Sequence, residues 1–322
     1  MSDLPRFVQV NEEGPREGFQ IEKGPIPTAR KIELVDALSE TGLSSIQVVS
    51  FVNPRRVPGM ADADEVAKGF RRKPGVRYNA LWLNDKGFER AIAAKVFDIT
   101  GRIALTASET FLLHNQQRSS RDDLAAQYEI VKLYERYKVP VDHGYVMAAF
   151  GCNFEGDIPP KKVLDMVQQI VELAKEHRFE IKHLTLADTM AWATPLSIKR
   201  LVCAVRDRFP SLRITLHLHD TRGMGIANAY AGLECGVDSF DAAVAGLGGC
   251  PFAAHAAAAG NVCTEDLVFM LQEMGIETGI HLEKLIDAAR LAENIVGHAL
   301  PGSVMKGGSL ASLREHLRSQ KP

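Results

Sequence analysis

The stretch Arg213-Ile214-Thr215-Leu216-His217-Leu218-His219-Asp220-Thr221 decides how this chain is read. Its first four residues form an apolar, β-branched run of the kind that reads as a buried strand. A strand sends alternate side chains to opposite faces, so His217 and His219 share one face while Leu218 turns into the packing. Two imidazoles on one face can bind a single metal ion. They can equally be one buried and one solvated histidine at a strand end. Arg222-Gly223-Met224-Gly225 follows at once, as expected where a strand hands over to a helix.

Working outward, similar runs recur along the chain. Strands are expected near Phe7–Glu12, Ser45–Phe51, Val76–Leu83, Val96–Thr100, Val141–Ala149, Ile181–Leu186, Arg213–His219 and Val237–Val244. Between them lie amphipathic stretches, among them Thr28–Thr41, Arg121–Tyr137, Lys161–His177, Pro195–Phe209 and Gly225–Cys235. Each parallel strand needs a crossover helix, so eight strands alternating with helices predict an α/β fold, a (β/α)8 TIM barrel. An open doubly wound sheet is the alternative, but no GxGxxG follows the first strand. With no Pro- or Ser-rich linker, the expectation is one domain. Its barrel covers about residues 5–275, and a helical carboxy-terminal region covers about 276–322. The extra helices Leu282–His298 and Leu310–Ser319 should cover one edge, while Pro301-Gly302-Ser303 and Lys306-Gly307-Gly308 read as mobile connections.

Composition narrows the function classes. Of 322 residues, 46% are hydrophobic and 24% charged, which describes an ordinary globular protein. A net charge of −2 gives no reason to expect nucleic acid or an anionic membrane surface as partner. No apolar run approaches a membrane span, and Met1-Ser2-Asp3-Leu4-Pro5 lacks the basic and apolar regions of a secretion signal. The five cysteines are scattered without a CxxC pair, which argues against a zinc knuckle or disulfide framework and fits a reducing cytoplasm.

Barrel active sites lie at the carboxyl ends of the strands, and the polar motifs fall there. Gly14-Pro15-Arg16-Glu17-Gly18 reads as a turn after the first strand, and Gln47 lies in the second. Asp188-Thr189 follows the sixth, His217 and His219 end the seventh, and Gly246-Leu247-Gly248-Gly249-Cys250-Pro251 follows the eighth. Glu17 is a candidate metal ligand with the two histidines, or one half of a surface Arg-Glu pair. Two imidazoles and a carboxylate suit a divalent ion such as Mg²⁺, Mn²⁺ or Co²⁺, with Mn²⁺ or a later transition metal the more comfortable. Arg16 stays charged and would stabilise an enolate oxygen beside the metal, or pair with a rim carboxylate. Asp188 would orient Arg16 or a ligand, or else N-cap the next helix. Cys250, among glycines, could pass a proton to a carbanion as its loop closes, or be a small residue in a tight turn. Asn261 could add an oxygen to the metal, or cap the helix starting near Thr264.

These residues carry a resemblance. GPREGFQIEK (14–23), SFVNPRRVPGMAD (50–62), HLHDTRGMGIAN (217–228) and AGLGGCPF followed by GNVCTEDLVFML resemble the 3-hydroxy-3-methylglutaryl-CoA lyase family, within the metal-dependent (β/α)8 Claisen-type lyases and synthases. The similarity runs from about Phe7 to about His298; GLGGCP with GN–TEDLV is specific to the lyase branch, whereas HxHDT is shared more widely. The resemblance implies that Arg16 stabilises the enolate, that His217, His219 and Asn261 bind the metal, that Cys250 is the proton donor, and that Asp188 is the strand-six aspartate. It places Lys23 near the CoA phosphates and Asn115 and Tyr145 in segments lining the substrate pocket.

The chain also departs from that pattern. The family reads Arg-Asp-Gly where this sequence has Arg16-Glu17-Gly18, and a family Glu in strand two is Gln47 here. The stretch 252–259 is longer and poorer in glycine than its counterpart and contains His255. The expected activity is retro-Claisen cleavage of 3-hydroxy-3-methylglutaryl-CoA (HMG-CoA), with Mg²⁺ or Mn²⁺, to acetyl-CoA and a 3-oxo acid. The base would be His217, Asp188 or a water at the metal. The alternatives are the same chemistry on another branched 3-hydroxyacyl-CoA, condensation of an acyl-CoA with a 2-oxo acid, or a non-catalytic acyl-CoA-binding barrel. An acyl-CoA is the expected small-molecule partner, and a homodimer the expected assembly.

Overall fold

The computed structural model describes residues 4–249 and 260–320. Eight parallel strands form one curled sheet: β1 Gln9–Glu12, β2 Ser45–Ser50, β3 Arg77–Leu81, β4 Gly101–Thr106, β5 Val141–Met147, β6 His183–Ala187, β7 Arg213–His217 and β8 Ser239–Ala242. Their order is β3-β2-β1-β8-β7-β6-β5-β4, so the first and last strands of the chain lie side by side, as a (β/α)8 barrel requires. The seam between β3 and β4 is tied by Asp98, whose backbone N–H donates to the Tyr78 carbonyl at 2.8 Å while its carboxylate accepts from the Tyr78 N–H at 2.8 Å.

Strand four differs from the expectation. Val96–Thr100 is irregular, and the ladder begins at Gly101. The apolar residues that suggest a strand there serve packing instead: Phe97 is buried against Phe51 and Phe70. Apolar content marks burial, and only paired backbone marks a strand.

The helices between strands cover the outside. In α7 (Pro160–Glu176), Val163, Val167, Ile170, Leu173 and Ala174 make a buried stripe at helical spacing. α8 (Pro195–Arg208) opens with a capping box between Thr194 and Ser197. Past β8, α10 (Thr264–Glu273) leads to α11 (Leu282–Val296), which packs on α2 (Thr28–Ser39). The Ser303–Gly307 region is ordered by a cap rather than forming a loose connection. Val304–Gly307 is a short helix, and the Asp266 carboxylate accepts from the N–H groups of Ser303 and Val304. Among the described residues, no helix is long and apolar enough to cross a membrane.

Inside the barrel, alternate residues of β1 face the lumen. Asn11 donates to Asp241 on β8 at 2.9 Å, and Gln9 accepts from Arg213 on β7 at 3.2 Å. Their neighbours Val10 and Glu12 are buried on the opposite side, towards the helices.

Candidate metal centre and active site

Three of the expected residues meet at one point of the rim. His217 ends β7, and His219 follows it, held by an isolated bridge to Asn261. Their Nε2 atoms lie 3.2 Å apart. Glu17 reaches them from the segment after β1, two strands away, with Oε1 3.2 Å from His219 Nε2 and Oε2 3.8 Å from His217 Nε2. Arg16 and Glu17 do not sit in a turn. They lie in the first turns of α1 (Gly14–Ile21), where Pro15 near the amino end suits helix initiation.

The outer partners fix what the two imidazoles present. His219 Nδ1 lies 2.7 Å from the Thr189 carbonyl oxygen, which can only accept, so that nitrogen carries the proton. His217 Nδ1 faces the Asp241 carboxylate at 3.3 Å, a charge contact without the alignment of a hydrogen bond. The two Nε2 atoms and the Glu17 carboxylate thus face one another in a buried space. This arrangement is repulsive unless something positive stands between them. In the metal-free site that positive charge is a proton on His217: burial alone would depress this imidazole, yet Glu17, Asp241 and Glu13 around it push it up to about 9, so a divalent ion would have to displace its Nε2 proton. Glu17 is driven up by burial but held well below the usual carboxylate range by Arg16 and the two histidines. The pocket attracts positive charge, and the donor set of Glu17, His217 and His219, all within 4.8 Å of one another, fits a divalent ion.

Asn261 belongs to the same cluster. Its Nδ2 donates to Glu17 Oε1 at 3.0 Å and to the Leu247 carbonyl at 3.1 Å, and its buried Oδ1 has no partner among the described residues. It does not cap α10, whose first residue follows Cys263 without a side-chain cap. The glycine loop closes over this corner. The Gly249 N–H lies 3.2 Å from Glu17 Oε1. Gly248, at φ +86°, leaves no room for a side chain: a Cβ would sit 2.7 Å from Asn261 Nδ2 and 2.9 Å from Glu17 Cγ. Cys250 lies outside the described residues.

Arg16 stands beside Glu17, its Nη2 3.0 Å from Oε2. Its other partners are Glu13, through Nη2, and Gln47, through Nε. Asp188 is not among them, nor does it cap the following helix. Its Oδ1 accepts from the N–H groups of Trp192 (2.7 Å) and Ala193 (3.0 Å), shaping the loop before α8, and its N–H donates to the His217 carbonyl at 2.8 Å. Asp188 Oδ2 is buried without a partner among the described residues, and burial lifts this carboxyl to about 6. Tyr145, on β5, places its ring 6.3 Å from that of His217, so it flanks the site. Burial first, then the nearby anions Asp241, Glu13 and Glu17, keep its hydroxyl protonated as a donor. Lys23, just past α1, and Asn115, on α5 (Glu109–Gln116), are exposed and join none of these contacts.

Sequence reasoning missed Glu13 and Asp241. The signal for both was strand alternation: Asp241 pairs in register with His217 across β8 and β7, and Glu13 comes two residues after lumen-facing Asn11.

A parallel barrel with two strand-seven histidines, a carboxylate and an arginine at its carboxyl rim is the architecture of (β/α)8 enzymes with a candidate metal centre. Residues 7–292 match the HMGL-like family model, and the chain belongs to that family. It is 41% identical over 288 residues to the human cytoplasmic 3-hydroxy-3-methylglutaryl-CoA lyase, covering 89% of this chain and 75% of that protein. It is 42% identical over 284 residues to the mitochondrial hydroxymethylglutaryl-CoA lyase of Gallus gallus, covering 88% and 92%. An HMG-CoA lyase from Acinetobacter baumannii, solved with coenzyme A and 3-methylmalate, superposes with a TM-score of 0.85 at 39% identity, covering 96% of this chain and 97% of that one.

Proposed function

We propose that this chain is a divalent-metal-dependent carbon–carbon lyase that cleaves HMG-CoA to acetyl-CoA and acetoacetate. The observation that carries this reading is the convergence of the two histidine Nε2 atoms and the Glu17 carboxylate beside the Arg16 guanidinium. When bound, a divalent ion would supply Lewis-acid polarisation of the substrate's oxygens. Glu17, His217 and His219 would hold it, with Asn261 as the candidate fourth ligand. Mg²⁺ or Mn²⁺ is the ion proposed, and the two imidazoles favour Mn²⁺. The relative solved with coenzyme A and 3-methylmalate binds a CoA moiety together with a hydroxyl-bearing dicarboxylate, which are the two recognition elements of such a substrate.

The chain's own groups divide the work. Arg16 offers a permanent positive charge to the enolate oxygen released when the C–C bond breaks. Tyr145, kept as a phenol, donates a hydrogen bond from the flank. Asp188, with a free Oδ2 and a carboxyl near 6, is the candidate to take the substrate's hydroxyl proton, because its affinity lies close to neutral pH. His217, with Nε2 committed to the ligand set, is the less available base. Cys250 is the proposed final proton donor, and Lys23 and Asn115 are proposed to serve the CoA end. The proposed compartment is the cytoplasm, as for the human relative.

The test is acetyl-CoA release from HMG-CoA by purified protein with Mg²⁺ or Mn²⁺, with and without EDTA. Rapid, chelator-sensitive release is expected. Absence of release from protein that binds Mn²⁺ would move the assignment to another branched 3-hydroxyacyl-CoA, which Glu17 and Gln47 at this site make the second reading.

A further inference from the structure

Glu13 is a buried carboxylate that the mechanism above leaves unused. It lies between β1 and α1, and its N–H is fixed to the Ala242 carbonyl at 2.8 Å. Its carbonyl accepts from the N–H groups of Arg16 (3.1 Å) and Glu17 (2.8 Å), so its backbone is already committed to holding both functional residues. Its side chain then closes a ring. Arg16 Nη2 donates to Oε2, Gln47 Nε2 donates to Oε1 at 3.1 Å, and Gln47 Oε1 accepts from Arg16 Nε.

The ring is directional. Gln47 must accept from a guanidinium on one side and donate to a carboxylate on the other, which only an amide can do. A carboxylate at position 47 would accept from Arg16 but have nothing to give Glu13, and two anions would stand about 3 Å apart. A Gln at 47, where the resemblance leads one to expect Glu, is therefore matched to a Glu at 13. The negative charge on this side of Arg16 sits on the β1–α1 junction rather than in β2. With Nε taken by Gln47 and Nη2 by Glu13 and Glu17, Nη1 is the end of the guanidinium left without a partner among the described residues. A planar fork braced on two of its nitrogens presents the third in one direction.

We propose that Glu13 is the positioning carboxylate of this site: together with Gln47 it locks the Arg16 guanidinium so that Nη1 meets the developing oxyanion. The Glu13 side chain acts through Arg16 and touches neither imidazole nor, on this account, the substrate. The inference rests on the lyase reading for its kinetic part only.

The experiment compares Glu13→Gln, Glu13→Asp, Gln47→Glu and the charge-swapped double variant Glu13→Gln/Gln47→Glu, all as full-length metal-loaded protein. Glu13→Gln should lower kcat roughly 10–100-fold, the range for losing an outer-shell partner. KM for HMG-CoA and the Kd for Mn²⁺ should stay within about threefold, because uniform binding is untouched. Glu13→Asp, which keeps the charge, should retain more kcat than Glu13→Gln. The swapped variant should recover most of the loss, and in an Arg16→Lys background Glu13→Gln should cost nothing further. An unchanged kcat in Glu13→Gln, a swap no better than either single change, or full additivity with Arg16→Lys would overturn the proposal. A separate readout is the Arg16 Nε–H resonance by NMR, which should exchange slowly in the parent protein and rapidly in Glu13→Gln. If the parent protein fails to cleave HMG-CoA, the lyase reading fails alone. Bracing of Arg16 then stands or falls on that resonance, and equal exchange in both proteins would refute it.

Discussion

Glu12 and Glu17 are both buried glutamates beside the β1–α1 junction and are opposites in condition. Glu12 points away from the lumen and is fully buried. Its Oε1 accepts from the N–H groups of Gly14 (2.7 Å) and Val244 (2.9 Å), and its Oε2 accepts from the Thr264 hydroxyl at 2.7 Å. These bonds tie β1, the end of β8 and the start of α10 together, but among the described residues no cation faces the carboxyl, and burial drives it to about 8. Glu265 close by is lifted to about 7 in the same way. On the lumen side, Glu13 and Glu17 share Arg16; burial still raises Glu13 against that guanidinium, whereas Arg16 and the two histidines together hold Glu17 well below the usual carboxylate range. Depth is similar for Glu12 and Glu17, so what separates them is the set of positive groups gathered around the carboxylate. The comparison also sorts a second cluster of ligand-type residues, Cys263, Glu265 and Asp266. There burial pushes the thiol well above its ordinary range, and Asp266 is spent on capping the Val304 helix, so the cluster belongs with the neutral side.

The sharpest way to break this comparison is to remove the lumen side's cation-seeking character. His219→Ala deletes one of the two imidazoles and should weaken Mn²⁺ binding by more than the roughly 10–100-fold expected for an outer-shell change. Chelator-sensitive turnover should disappear with it. Calorimetry that found Mn²⁺ affinity intact would mean that the lumen carboxylate and imidazoles are not the cage described here. A smaller effect is expected from Asp241→Asn. The amide can orient His217 less strongly and carries no charge, so Mn²⁺ affinity should fall about 10–100-fold. Activity lost with metal affinity unchanged would place Asp241 in contact with substrate instead.

Most of the barrel was legible because strand periodicity and burial coincide in it: β2, with every residue of Ser45–Ser50 buried, announces itself. β4 did not, because Val96, Phe97 and Ile99 carry the apolar signal while the paired backbone lies just beyond them. The ligand triad was readable from spacing along one strand plus a carboxylate near another strand's end. The bracing of Arg16 was not, because Glu13 and Gln47 meet only when β1 and β2 lie side by side. Short loops hide helices in the same way. Gly14-Pro15 looks like a turn, yet proline at the amino end starts α1 and sets Arg16 and Glu17 on its first turns.

The smallest effect tests the other half of the comparison, through stability. Glu12 has a folded-state pKa of about 8 against an ordinary value of 4.5, so between those values the native protein binds the proton that the unfolded chain has lost. Its contribution is complete below about pH 4.5 and is lost as pH rises towards 8, at a limiting slope of about 1.4 kcal/mol per pH unit for one group. Glu12→Gln keeps the geometry. The amide oxygen can accept from the Gly14 and Val244 N–H groups, and the amide nitrogen can donate to the Thr264 hydroxyl. The variant should therefore lose this slope. Urea unfolding at pH 5.5, 6.5 and 7.5 should show parent stability falling relative to the variant's at each step, with a residual decline in the variant below about pH 7 from Glu265. A constant difference across that window would mean that Glu12 is ionised in the folded state. Burial without a facing cation would then not be what separates it from Glu17.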